Sequence, residues 1–186
     1  MKRLVREWAA IAHDRELGQA LLQLRTHFDR CQRGEIAAAD LNDLAKEEAD
    51  ALTSEHDERD KTDLDRAYGV VERGRRPREY APALRDMEKS QKTRAKRRHL
   101  DVVDRGLMDL ISVYRDVLSL QLGADSELVN EEVRGDVVAL AHSTSAEQSL
   151  ARIEAVFAAR EQMLEFNVPP LLALESMMIA LRGTRD

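Results

Sequence analysis

The chain has 186 residues, of which 43% are hydrophobic, 4% aromatic and 34% charged, with a formal net charge of −6. That length suits one domain, or one and a fraction, with a real core, and the balance is that of packed helices with charged outer faces. A single cysteine, Cys31, excludes an internal disulfide, no apolar run reaches the roughly 18 residues of a membrane span, and Met1-Lys2-Arg3-Leu4 is not followed by a signal-peptide core.

A soluble, cytoplasmic protein with no membrane partner is therefore expected. Its charge is unevenly spread: Lys and Arg number 9 against 14 Asp and Glu in residues 1–60, 13 against 6 in 61–100, and 7 against 15 in 101–186. A basic middle lies between two acidic ends.

In chain order, Leu4, Val5, Trp8, Ile11 and Ala12 mark one face of a short first helix that begins abruptly, as if truncated upstream, and Asp14 is placed to cap the next. Leu17, Leu21, Leu24 and Phe28 keep helical spacing up to the break at Gly34, predicting a helix over 15–32. A further amphipathic run carries Ile36, Leu41, Leu44, Ala45, Ala51 and Leu52 among Lys46, Glu47 and Glu48. Beyond Leu52, residues 54–65 are almost wholly charged and read as an exposed helix. Residues 69–82 hold Gly69, Gly74, Pro77 and Pro82 with little periodicity, a flexible loop that splits the chain.

From Ala83 to Leu122 no proline intervenes, which allows one helix of about 40 residues and about 60 Å, closed by Gly123. Leu100, Val103, Leu107, Leu110, Ile111, Tyr114, Val117, Leu118 and Leu122 form its apolar face, whereas residues 89–99 offer only Ala95 and stand clear of the core. Asn130 with Glu131 and Glu132 starts a short helix through Val133, Val137 and Leu140. Ser145-Ala146-Glu147-Gln148 is a capping box for the next, carried by Leu150, Ile153, Phe157, Arg160 and Leu164. Asn167 is placed to cap the last helix, whose first turn accepts proline without losing a hydrogen bond. Leu171, Leu174, Met178 and Leu181, widened by Leu172 and Met177, describe a core helix packed on more than one side. No segment alternates as a strand does. The expected fold is all-α, a compact multi-helix packing with one long central helix.

The chain offers little chemistry. A phosphate-binding loop of glycines followed by lysine and a hydroxyl is absent from the sequence. His13, His27, His56, His99 and His142 lie apart, without His-x-x-x-His or Cys-x-x-Cys spacing, and read as surface or packing histidines. Glu47, Glu48 and Glu55 lack the Glu-x-x-His partners of a di-iron bundle and read as a solvated acidic face. No Gly-x-Ser-x-Gly occurs, and Cys31 has no identifiable base. No catalytic residue, cofactor or metal is expected from the segment itself. Tyr114 and the Met177-Met178 pair read as core.

One charged feature exceeds background: Lys89, Lys92, Arg94, Lys96, Arg97 and Arg98 fall within ten residues. Such stretches attract phosphate and release counterions, so these six are candidate contacts to nucleic acid or to an acidic partner. Without interleaved aromatics, a solvated or protein-facing helix is the preferred reading.

Four stretches carry a family resemblance. They are residues 44–52 (Leu-Ala-Lys-Glu-Glu-Ala-Asp-Ala-Leu), residues 87–97 from Met87 through the basic run, residues 110–122 (Leu-Ile-Ser-Val-Tyr-Arg-Asp-Val-Leu-Ser-Leu-Gln-Leu), and a final helix pair joined at Asn167-Val168-Pro169-Pro170. Together they resemble the carboxyl-terminal region of the delta-prime subunit of bacterial DNA polymerase III in its actinobacterial form. The resemblance implies a helical collar domain over 14–182 with a flexible loop at 69–82, preceded by the tail of a lid domain at 1–13 and followed by a short tail at 183–186. It implies assembly with the tau or gamma and delta subunits through their collars, to load the sliding clamp onto primed DNA. It transfers no catalytic residue, although the parent is a subunit of a DNA-directed DNA polymerase holoenzyme. A helical nucleic-acid-binding adaptor using residues 89–98 is the second reading, and a helical enzyme or metal protein the third.

Overall fold

The computed structural model describes Arg30 and residues 35–70, 77–124 and 127–183. The expected helices around Trp8 and over 15–32, Cys31 and the expected lid tail lie outside the described residues. The described elements are all helical: α1 (Ala38–Ala67), α2 (Tyr80–Gln121), a 3₁₀ turn (Glu131–Val133), α3 (Arg134–Ser143), α4 (Ala146–Leu164) and α5 (Pro170–Gly183). The all-α expectation holds, with α2 as the long helix.

Helix ends follow from local chemistry. Asp40 Oδ2 accepts from the Ala37 amide at 2.8 Å at the start of α1. The charged stretch of α1 stays helical because no breaker interrupts it before Gly69, and Arg59 with Glu55 and Arg66 with Asp63 pair one turn apart. Gly69 and Gly123 close α1 and α2 with φ of 60° and 65°. In each case the glycine amide and the next amide reach back to carbonyls three and five residues earlier, satisfying the helix end. The start of α2 differs from expectation: it begins at Tyr80, and Pro82 sits in its first turn, where the missing amide costs nothing.

The chain divides into two compact units, one of Ala45–Val102 and one of the residues up to Leu44 with Val103–Asp186. In the first, the later part of α1 and the earlier part of α2 run antiparallel. Tyr80 packs edge-on against Tyr68 and donates to Asp65 at 2.6 Å, Gln91 Nε2 donates to the Asp57 carbonyl, and Arg94 reaches Asp57 and Asp60. The buried stripe of α1 here is Ala45, Ala49 and Thr53, small residues that admit close helix approach, whereas Ala51 and Leu52, expected on the apolar face, are exposed.

The second unit has the larger core: Val103, Leu107, Leu110, Tyr114 and Val117 from α2, Val137 from α3, Val156, Ala159 and Met163 from α4, and Leu174, Met177, Met178 and Leu181 from α5. α4 and α5 pack against each other. The capping box stands as expected, Gln148 N donating to Ser145 Oγ at 3.2 Å and Ser145 N donating to Gln148 Oε1 at 3.0 Å.

Four expectations fail here. α4 is rotated by about one residue: Ser149, Arg152, Val156, Ala159 and Met163 face inward, while Leu150, Phe157 and Leu164 are exposed. Polar contacts fix that rotation, since Arg152 is buried with its guanidinium 5.8 Å from the Tyr114 ring centroid and Arg160 pairs with Asp104 at 2.6 and 3.1 Å. Asn167 does not cap α5; with φ of 54° it turns the chain after α4, and the Val168 amide donates to the Gln162 carbonyl at 2.9 Å. Asparagine tolerates that left-handed backbone better than most residues. On α5, Leu172 and Ile179 are exposed, so this helix buries one side only, and Leu122 is exposed beyond the end of α2.

Candidate interaction surfaces

The six cations of residues 89–98 do not act as a set. Lys89, Lys92, Lys96, Arg97 and Arg98 are exposed on α2. Arg94 instead turns toward α1, where Nη1 lies 2.9 Å from Asp57 Oδ1 and 2.7 Å from His56 Nδ1, and Nη2 lies 2.7 Å from Asp60 Oδ2. The Arg94 bond lowers the Asp60 pKa below its ordinary 3.8, against a smaller opposing effect of burial.

His56, Asp57 and Asp60 place ligand atoms within 4.8 Å of one another. The sequence reads His56 as a surface or packing histidine, and the i, i+4 spacing of His56 and Asp60 is the available signal for this cluster. The cationic place in this cluster is filled by Arg94, so its chemistry is that of a clasp between helices.

A second polar cluster escaped the sequence reading altogether. Asp116, fully buried on α2, accepts from the Asn130 amide at 2.8 Å and from Asn130 Nδ2 at 2.7 Å, and Ser112 Oγ lies 3.1 Å from the same Nδ2. Asn130 therefore does not cap the following 3₁₀ turn with its side chain. It ties the segment before that turn to α2.

A depression of about 540 Å³ is lined by Leu120, Gln121, Val138, His142, Thr144 and Ser145 among others. Gln121 Nε2 spans it to the Thr144 carbonyl at 2.7 Å and to Thr144 Oγ1 at 3.0 Å. Tyr114, Met177 and Met178 are core residues. Among the described residues, the exposed large apolar side chains are Leu150, Phe157 and Leu164 on α4, Phe166 after it, Leu172 and Ile179 on α5, and Leu52, Leu122 and Val129 elsewhere. No helix is long and apolar enough to cross a membrane among the described residues.

These helices are also where similarity to known proteins lies. Residues 100–183, which are 84 of the 186, match the family model described as DNA polymerase III, delta subunit, C terminal. The matched region runs from within α2 to the end of α5 and comprises nearly all of the described part of the second unit. The family is that of a clamp-loader subunit's carboxyl-terminal domain. No curated protein and no solved structure matches the chain.

Proposed function

We propose that the chain is the helical collar module of a clamp-loader subunit, assembling with the other subunits of a bacterial DNA polymerase III clamp loader and thereby serving replication in the cytoplasm. The observation that carries this reading is the coincidence of the matched segment, residues 100–183, with helices that keep large apolar side chains exposed. Exposed apolar side chains clustered on a folded unit are what an assembling domain presents. The finer delta-prime reading rests on the four resembling stretches, and the partners it names are the tau or gamma and delta subunits. Coexpression of the tagged chain with tau or gamma and with delta from the same organism tests it. Co-purification at a fixed ratio is expected; recovery of the chain alone, with each partner folded, contradicts the assembly role.

A second reading, DNA contact by α2, is favoured by the five exposed cations Lys89, Lys92, Lys96, Arg97 and Arg98. It predicts a salt-dependent affinity that falls on replacing Lys92, Arg97 and Arg98 together. Arg94 is left in place in that test because it joins α1 to α2.

A further inference from the structure

The exposed face of α4 has a regular composition that its core packing does not require, although Glu147, at its start, also accepts hydrogen bonds from its own backbone and from the capping Ser145. Glu147, Glu154 and Glu161 recur every seven residues, as do Leu150, Phe157 and Leu164, and all six are exposed. Residues three, four and seven apart share one side of a helix, so the two rows run side by side along it. The apolar row is 48%, 47% and 49% exposed at its three positions, an even exposure along the helix. α5 repeats the device on a smaller scale, with exposed Leu172 and Ile179 seven apart and Glu175 between them.

We infer that this ridge of α4 is a docking surface for a helix of another protein that carries apolar residues at seven-residue spacing flanked by lysine or arginine. The inference rests on the assembly reading for its biological setting, and on charge complementarity for the chemistry of the occupant. Three carboxylates beside the apolar row repel phosphate, which excludes nucleic acid and anionic lipid from this face. The chain's own basic stretch fits poorly, because its exposed positions Lys89, Lys92, Lys96 and Arg97 bring no apolar side chain to cover Leu150, Phe157 and Leu164. An amphipathic helix with basic flanks satisfies both rows at once: its apolar residues enter between the knobs while its cations meet the glutamates.

The test is calorimetric titration of the full chain with two synthetic three-heptad helical peptides, one with Leu at every seventh position flanked by Lys and one with Glu in place of Lys. The same titration is then made with the tau or gamma subunit. Expected is binding of the Leu/Lys peptide at least tenfold tighter than of the Leu/Glu peptide. Phe157→Ala, and separately the double variant Glu154→Lys/Glu161→Lys, each weaken it at least tenfold, with unchanged helical circular dichroism. Equal binding of the two peptides, binding of neither, or indifference to both variants overturns the ridge. If tau or gamma binds the wild type and both variants alike, the ridge is wrong while the assembly reading stands. Should the peptide preference hold with no binding to tau or gamma, the ridge stands and the assembly reading fails.

Discussion

Buried charge with a defined partner is the feature that sequence patterns hide best, and Asp116 is the clearest case. A carboxyl group at 0% exposure survives only with hydrogen bonds, and here the Asn130 amide and side chain supply them at Oδ2, with Arg115 Nη1 3.4 Å from Oδ1. Asp116→Ala leaves both donors without that acceptor and is expected to cost about 2–4 kcal/mol, read as a lowered urea midpoint with unchanged slope. Asn130→Ala should be costly too, and the double variant should cost less than the sum of the singles. Asp60 gives a prediction in pH. Arg94 holds its carboxyl below the ordinary 3.8, so ionised Asp60 stabilises the fold above that value, and the contribution is lost as pH falls through the folded-state pKa. Thermal unfolding between neutral pH and pH 3 should therefore steepen its fall at the acid end, and Asp60→Asn should flatten it.

At the scale of the element, the helices and most of their ends were legible because they rest on local chemistry: the capping box at Ser145, Gly123 after α2, and the apolar spacing of Val103, Leu107, Leu110 and Tyr114. The facing of α4 was not. A hydrophobicity pattern selects Leu150, Phe157 and Leu164 as the inner row, yet the helix turns Arg152 and Ser149 inward because long-range partners on α2 hold the arginines. Asn167 misled for a related reason, since the same residue type serves both as a cap and in a left-handed turn. A pair of substitutions separates the two facings. Val156→Ala should cost about 1–3 kcal/mol through lost burial and packing, whereas the larger truncation Phe157→Ala should cost less than about 1 kcal/mol, as surface changes do. Equal or reversed effects in chemical denaturation would mean that the outer row is core after all.

For the whole molecule, the six-cation stretch was visible in sequence as a block, but its division was not. Arg94 joins two helices through partners some 34 to 38 residues away in sequence, and only the remaining five cations face outward. The candidate assembly surface was legible only through family resemblance, since exposed apolar residues and core residues have the same spacing on a helix. What distinguishes them is the tertiary fit of the α2, α4 and α5 faces within the unit that holds Val103–Asp186. The most direct test of the assembly claim is light scattering coupled to size-exclusion chromatography on the full chain, alone and mixed with the tau or gamma carboxyl-terminal collar of the same organism. A mixed species of defined stoichiometry is the predicted result; separate elution of two folded components at concentrations well above those of stable complexes would contradict it.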